Sequence, residues 1–268
     1  MPHIPVNDIR MYYELHGSED APVLVLSNGI LMSTASWALQ LPVLSQFFRV
    51  LVYDARGMWQ SDHPREPYSM DQHADDLAGL LDGLSISAAH IAGISYGGEI
   101  SLVFAGKYPQ KTLSLIVSSA VSHVDEPLRA AVEPWFEAAR RKNSDLLFEV
   151  TAPLNFSPVW SAAHRPVLAA ARERYANLDL AAFLRLLESF VHLDVTAGLG
   201  HIQVPTLVMV GELDTLKPRC YAEIIAEAIP GSEFALLPGG GHAVNWEKPD
   251  LWNTLVLGFA GKHTRRAL

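Results

Sequence analysis

The sequence predicts an α/β fold, a mostly parallel central sheet of about eight strands with helices on both faces. Three observations carry this. Short apolar runs alternate with segments of helical periodicity towards both ends of the chain, the pattern of strands buried on both faces and their crossovers. One such run, ending at Ile94, breaks at Ser95 between Gly93 and Gly97 and turns helical at once. From 122 to 201 the spacing is helical only, with no strand among the helices.

In chain order, residues 10–17 read as a strand pairing with a short one at 3–6, and 22–29 as a continuous apolar strand closed by the turn Asn28-Gly29. A helical segment at 36–48 leads to a strand at 49–54. Ser69-Met70-Asp71-Gln72 has the form of a capping box, and Ala74, Leu77, Leu81 and Leu84 follow at helical spacing. The Ser95 strand and a helix to Tyr108 precede a strand at 113–119. Helices are expected at 126–143, 144–151, 158–177 and 179–193. The sheet resumes at 206–211, followed by a helix at 218–228, a strand at 233–237 and a closing helix at 249–261. The helical block therefore enters after the sixth strand. We expect a core of residues 1–121 and 202–268 and a helical cap of residues 122–201 laid over the strand ends.

The chain has 268 residues, 49% of them hydrophobic, enough for one large core. A net charge of −9, with no basic block beyond Arg140-Arg141-Lys142 and Arg265-Arg266, argues against nucleic acid or an anionic membrane as partner. No signal-peptide pattern or membrane-spanning apolar stretch is present, so the expectation is a soluble, cytoplasmic protein, monomeric or homodimeric. A lone cysteine, Cys220, excludes an internal disulfide and is expected to pack inside a helix.

A serine at the end of a buried strand, entering a helix through one sharp turn, presents its hydroxyl above the sheet as a nucleophile would. Its hydroxyl needs a base, and the base an orienting acid. Two late strand ends supply them: Gly211-Glu212-Leu213-Asp214, and the glycine-rich loop Gly239-Gly240-Gly241 that carries His242. Among 11 histidines, His242 is favoured by that loop. Asp214 is favoured as the acid over Glu212 and Asp125, while Asp54 is expected to tie down its own Arg56-Gly57 turn. The Tyr96 amide should supply one oxyanion donor, and the Ile30 amide, or alternatively that of Leu31, the other.

Substrate contacts are expected from Asn28, Gly29, Leu31, Trp37 and Trp59, from Val244, and from Trp135, Phe136 and Trp160 of the cap. Phe148, Phe156, Phe183 and Phe190 are shared between helix packing and a pocket roof. No dinucleotide fingerprint, P-loop or H-E-x-x-H is present, so neither a cofactor nor a metal is expected.

Asn28-Gly29, Asp54-Ala55-Arg56-Gly57, Gly93-Ile94-Ser95-Tyr96-Gly97-Gly98, Gly211-Glu212-Leu213-Asp214 and Gly241-His242 together resemble the α/β-hydrolase superfamily in motif, order and spacing. Within it, Leu26-Ser27-Asn28 and Tyr53-Asp54-Ala55-Arg56-Gly57 are similar to 3-oxoadipate enol-lactonases and related small esterases. The resemblance implies an α/β-hydrolase fold, the triad Ser95, Asp214 and His242, and no cofactor. Two departures stand out: Asn28 occupies the place of a usual histidine, and Trp59 that of a glycine in R-G-x-G-x-S. Apolar Ile30, Leu31, Met32 and Trp37, with few cations near the motifs, point to a neutral, apolar acyl group over a dicarboxylate.

The expected function is a serine-dependent carboxylic ester or lactone hydrolase acting on a small, mainly apolar molecule. The same triad serves C–C hydrolysis, acyl transfer and perhydrolysis, and a triad-bearing ligand sensor acting on a protein partner is a reading of a different class. Serine at position 95 excludes the Asp-nucleophile chemistry of the same fold.

Overall fold

The computed structural model describes residues 2–264, and their eight strands form one sheet: β1 (His3–Val6), β2 (Ile9–His16), β3 (Val23–Ser27), β4 (Arg49–Tyr53), β5 (Ala89–Ile94), β6 (Thr112–Ser118), β7 (Thr206–Gly211) and β8 (Glu233–Leu237). They pair in the order β1-β2-β4-β3-β5-β6-β7-β8. The β1–β2 and β2–β4 pairs are antiparallel, and all later pairs are parallel. Eleven helices are described: α1 (Leu41–Leu44), α2 (Met70–Gly83), α3 (Tyr96–Lys107), α4 (Glu126–Arg140), α5 (Ser144–Asn155), α6 (Pro158–Ala163), α7 (Arg165–Tyr175), α8 (Leu180–Val191), α9 (Arg219–Ala228), α10 (Val244–Glu247) and α11 (Pro249–His263).

Alternation along the strands decides how the two faces are covered. Leu24 and Leu26 of β3 and Val50 and Val52 of β4 join Trp37, Trp252, Val256 and Phe259 on one face. Val25, Leu51 and Ile91 point the other way, into a core shared with Leu77 and Leu81 of α2 and Ile100 and Phe104 of α3. Each buried aliphatic side chain of this kind contributes roughly 1.5–3 kcal/mol relative to exposure. A third cluster seats Ile225 of α9 on Leu115, Val117, Val208 and Val210.

Two helices expected from the sequence are divided, both at prolines. Residues 36–48 form a 3-10 turn at Thr34–Trp37 and then α1, with Pro42 in its first turn. Residues 158–177 divide into α6 and α7 at His164, because Pro166 suits the first turn of a helix and has no N–H with which to continue α6. Ser69 caps α2 by accepting the Gln72 amide at 3.1 Å.

Helices α4–α8 lie between β6 and β7. The chain leaves and rejoins the sheet layers through a narrow neck. A bridge joins His123 to Asp194, the Val124 amide donates to the Leu193 carbonyl (3.2 Å), and the Val195 amide donates to the Ser122 carbonyl (2.8 Å). The turn Thr196–His201, grouped with the cap from its sequence, packs Leu199 against the α9 cluster instead. No described helix is long and apolar enough to cross a membrane. Arg265 and Arg266 lie outside the described residues.

In register, Ser27 sits opposite both Tyr53 and Gly93, Ile94 opposite Ser118, and Gly211 opposite Leu237. The carboxyl ends of the six parallel strands therefore finish at one edge of the sheet. Strand β3 pairs with β4 on one side and β5 on the other, so the loops after β3 and β5 diverge and leave a crevice at that edge.

Candidate active site

Ser95 joins β5 to α3 at φ 54° and ψ −124°, a left-handed conformation that costs a non-glycine residue roughly 1–3 kcal/mol. Its neighbours hold it there. The Ser95 amide donates to the Ser118 carbonyl (2.8 Å), and the Ser95 carbonyl accepts from the Gly98 (2.7 Å) and Glu99 (3.0 Å) amides. A Cβ at Gly97 would collide with the Ser27 and Asn28 carbonyl oxygens, and one at Gly93 with the Gly97 carbonyl. Both glycines are thus required by the close approach of strand, turn and helix.

Three side chains from distant parts of the chain meet at this turn. His242 Nε2 lies 2.9 Å from Ser95 Oγ, and His242 Nδ1 lies 2.8 Å from Asp214 Oδ2. Asp214 Oδ1 accepts the Leu216 (3.0 Å) and Lys217 (2.8 Å) amides, so the carboxylate is fixed by its own loop. All three residues are buried, with Ser95 the least so. The alternative acids are engaged elsewhere: Glu212 accepts the Gly239 amide (2.8 Å), and Asp125 caps α4 and accepts the Tyr221 hydroxyl (2.6 Å).

Ile30 and Tyr96 border the same small space as Ser95, and among the described residues neither amide donates to another protein group. The loop carrying Ile30 is braced from beneath. Asn28 Nδ2 donates to the Tyr53 carbonyl (2.8 Å) and to Asp54 Oδ1 (3.2 Å), and Asn28 Oδ1 accepts the Trp37 indole N–H (2.7 Å). Asp54 also accepts the Thr34 and Gln60 amides, and burial lifts its carboxyl to about 6. Behind the serine, the Tyr96 hydroxyl lies 2.8 Å from His73 Nε2. Burial, reinforced by the Arg56 charge, depresses His73 to about 3, and burial pushes the Tyr96 phenol up.

Residues 22–249 match the α/β hydrolase fold family. The chain belongs to that family. A relative from Stutzerimonas stutzeri named "Putative carbamate hydrolase RutD" is 34% identical over 262 residues, covering 92% of this chain and 95% of that one. The crystal structure of an enol-lactonase from Burkholderia xenovorans superimposes with a TM-score of 0.91 at 28% identity, covering 96% of this chain and 99% of that one. An α/β hydrolase enzyme from a Medee basin deep-sea metagenome library gives 0.92 at 31%, covering 97% of each chain.

In this α/β hydrolase a largely apolar cavity of about 240 Å³ opens over Ser95 and His242. Gly29, Ile30, Leu31 and Trp59 line it, together with Trp135 of α4. Five expected contacts fall elsewhere. Trp37 is fully buried against Trp252 at 5.7 Å, and Val244 is fully buried in the same cluster. The Asn28 side chain is consumed by the brace beneath the loop. Phe136 of α4 is buried in the large apolar cluster, and Trp160 stands outside the lining, stacked between Phe156 (4.6 Å) and His164 (4.2 Å). Cys220 is exposed at the start of α9 rather than packed.

Several lining residues escape the sequence reading. Helix α7 turns Val167, Leu168, Ala171, Arg174 and Tyr175 to the cavity, a stripe at helical spacing that would have identified its inner face. The Arg174 guanidinium lies 4.9 Å from the Trp59 ring and donates to Ser33 Oγ at 2.9 Å. A second cation is closer to the chemistry. Lys217, 3% exposed, places Nζ 3.3 Å from Ser95 Oγ and 2.7 Å from Glu99 Oε1. The expectation of few cations at the site is therefore corrected: Arg174 is far in sequence from the motifs, and Lys217, three residues after Asp214, reaches Ser95 only through the direction its side chain takes in the fold. Burial raises the Glu99 carboxyl above its ordinary value against the opposing pull of Lys217. Among the described residues, no group of three or more His, Cys, Asp or Glu is arranged to hold a metal ion.

Proposed function

We propose that this hydrolase cleaves a carboxylic ester or lactone of a small, mainly apolar substrate through an acyl-enzyme on Ser95. The observation that carries the reading is the continuous hydrogen-bonded line Ser95–His242–Asp214 at the floor of an apolar cavity. His242 takes the hydroxyl proton as Oγ attacks the carbonyl, and the Asp214 carboxylate stabilises the imidazolium that forms. The Ile30 and Tyr96 amides receive the developing oxyanion. His242 then protonates the leaving oxygen, and water activated by the same imidazole releases the acid. Low exposure of all three groups supports the mechanism, since charges are poorly screened there.

The names borne by two relatives, a carbamate hydrolase and an enol-lactonase, share an acyl carbon attached to a heteroatom leaving group. A carbamate is thus the second substrate class to assay. The test is a panel of p-nitrophenyl esters of graded chain length, lactones and carbamates, run with wild type and Ser95→Ala. Turnover of esters or lactones in wild type, lost by at least about 10³-fold in Ser95→Ala, is the expected result. Turnover that survives the substitution would falsify the role of Ser95.

A further inference from the structure

The mechanism above leaves one buried cation unused. Lys217 follows Asp214 by three residues, and its side chain turns back across the site towards α3. Each side of its ammonium is occupied: Glu99 Oε1 at 2.7 Å, Ser95 Oγ at 3.3 Å, and the Phe190 ring face of α8 at 4.6 Å. It also borders a small space of about 10 Å³ shared with Ile30, Ser95 and Tyr96, barely the size of one water. Lys217, Ile30 and Tyr96 therefore border one small space beside the nucleophile, and Ile30 and Ser95 also line the larger apolar cavity.

The two distances from Nζ differ in a useful way. A charge-assisted N–H···O bond settles at about 2.7–2.9 Å. The contact with Glu99 has reached that length, whereas the contact with Ser95 is slack and can shorten only if the oxygen becomes more negative. An interaction that tightens as charge develops favours the transition state over the resting state, which is the condition for accelerating a step.

Resting on the reading of Ser95 as nucleophile, we infer that Lys217 is a further catalytic residue of this site: paired with Glu99, its ammonium stabilises the negative charge that gathers on Ser95 Oγ. In acylation the Oγ proton passes to His242 Nε2 while the new Oγ–carbonyl bond forms. That proton leaves with the leaving group, and in deacylation His242 takes a proton from the attacking water and passes it to Oγ as the Oγ–carbonyl bond breaks. Lys217 transfers no proton in either step and acts by charge alone. Glu99 is the positioning residue, since its Oε1 holds both Nζ and the Val121 amide (3.0 Å).

A purely structural ion pair tying the Asp214 loop to α3 is the competing account. Such buried pairs are often replaceable by neutral groups with little loss of stability. Fluorophosphonate labelling separates the two, because it reads the nucleophilicity of the serine without requiring the natural substrate. Lys217→Met alone would strand the Glu99 carboxylate, so the test uses the neutral pair Glu99→Gln/Lys217→Gln, which keeps hydrogen-bond donors but no cation. The apolar pair Glu99→Leu/Lys217→Met repeats it without buried polar groups.

In wild type the probe should modify Ser95, located by peptide mass spectrometry. In both folded double variants the maximal labelling rate should fall by about 10²-fold, with probe affinity within about twofold of wild type. A variant with an intact melting transition that labels within about twofold of the wild-type rate would overturn the role of Lys217 and leave Ser95 standing. Wild type that is not modified at Ser95 would remove the reading beneath the proposal and the proposal with it.

Discussion

Glu247 accepts both hydrogen-bond donors of Ser157: Oε1 takes its amide at 2.8 Å and Oε2 its hydroxyl at 2.5 Å. Glu247 ends α10, five residues after His242, and Ser157 lies between α5 and α6. The Ala243 amide, donating to the Asn155 carbonyl at 2.8 Å, adds a second tie between the same segments. The junction of α5 and α6 is thereby fastened to the segment that follows the imidazole.

Glu247→Ala removes the stronger of these ties. A buried bond to a charged group is worth roughly 1.5–3 kcal/mol, so KM should rise by on the order of tenfold. The Ser95–His242–Asp214 line does not involve Glu247, and kcat should change by less than about threefold. Steady-state kinetics on the best ester of the panel checks the split, and an unchanged KM would show that the cap needs no such fastening.

Trp59 occupies φ 40°, a left-handed position that a glycine would fill without cost. Its ring both walls the cavity and carries the Arg174 guanidinium. Trp59→Gly relieves strain of about 1 kcal/mol and loses a cation–π contact of similar size, so stability should move by less than about 1–2 kcal/mol. Substrate choice should move more. The ratio of kcat/KM for long over short acyl esters is expected to rise, and an unchanged ratio would remove Trp59 from the specificity wall.

His73 gives the protein a built-in acid sensitivity. Its folded value of about 3 lies below the ordinary 6.5, so the unfolded chain binds this proton more readily. The stabilisation is complete above pH 6.5 and is lost as pH falls towards 3, at up to about 1.4 kcal/mol per pH unit. Asp54, raised to about 6, works in the opposite sense, stabilising the fold more as pH falls from 6 towards 3.8. Its contribution cancels when wild type is compared with His73→Gln. Between pH 6.5 and 4.5, wild type should lose about 2–3 kcal/mol more in urea unfolding than the variant does. Parallel losses would show that His73 accepts its proton freely in the folded state.

The sheet is legible because its central strands are unbroken apolar runs, and Ser95, Asp214 and His242 because each follows such a run at the same edge. Glycines make two of those turns conspicuous in the sequence. What stays hidden depends on side-chain direction after tertiary packing. Trp37 and Val244 lie near the motifs in sequence yet point under them, into the core beside Trp252. Nothing in the sequence sets Lys217, in a turn, or Glu99, at a helix start, apart from other charged residues, and only the fold brings them together beside Ser95. Arg174 lies in a helix whose inner face is set by contacts with the core. The breaks at Pro42 and Pro166 carried a local signal, outweighed in the reading by helical periodicity on both sides.

The neck at Ser122–Val124 and Leu193–Val195 has a consequence for how this protein can be altered. Because the two crossings are hydrogen-bonded side by side, any helical insert whose ends lie equally close can be grafted there with little cost in loop closure. Acyl preference could then be exchanged as a module, by transplanting residues 125–192 between relatives while the turn that presents the serine is left untouched.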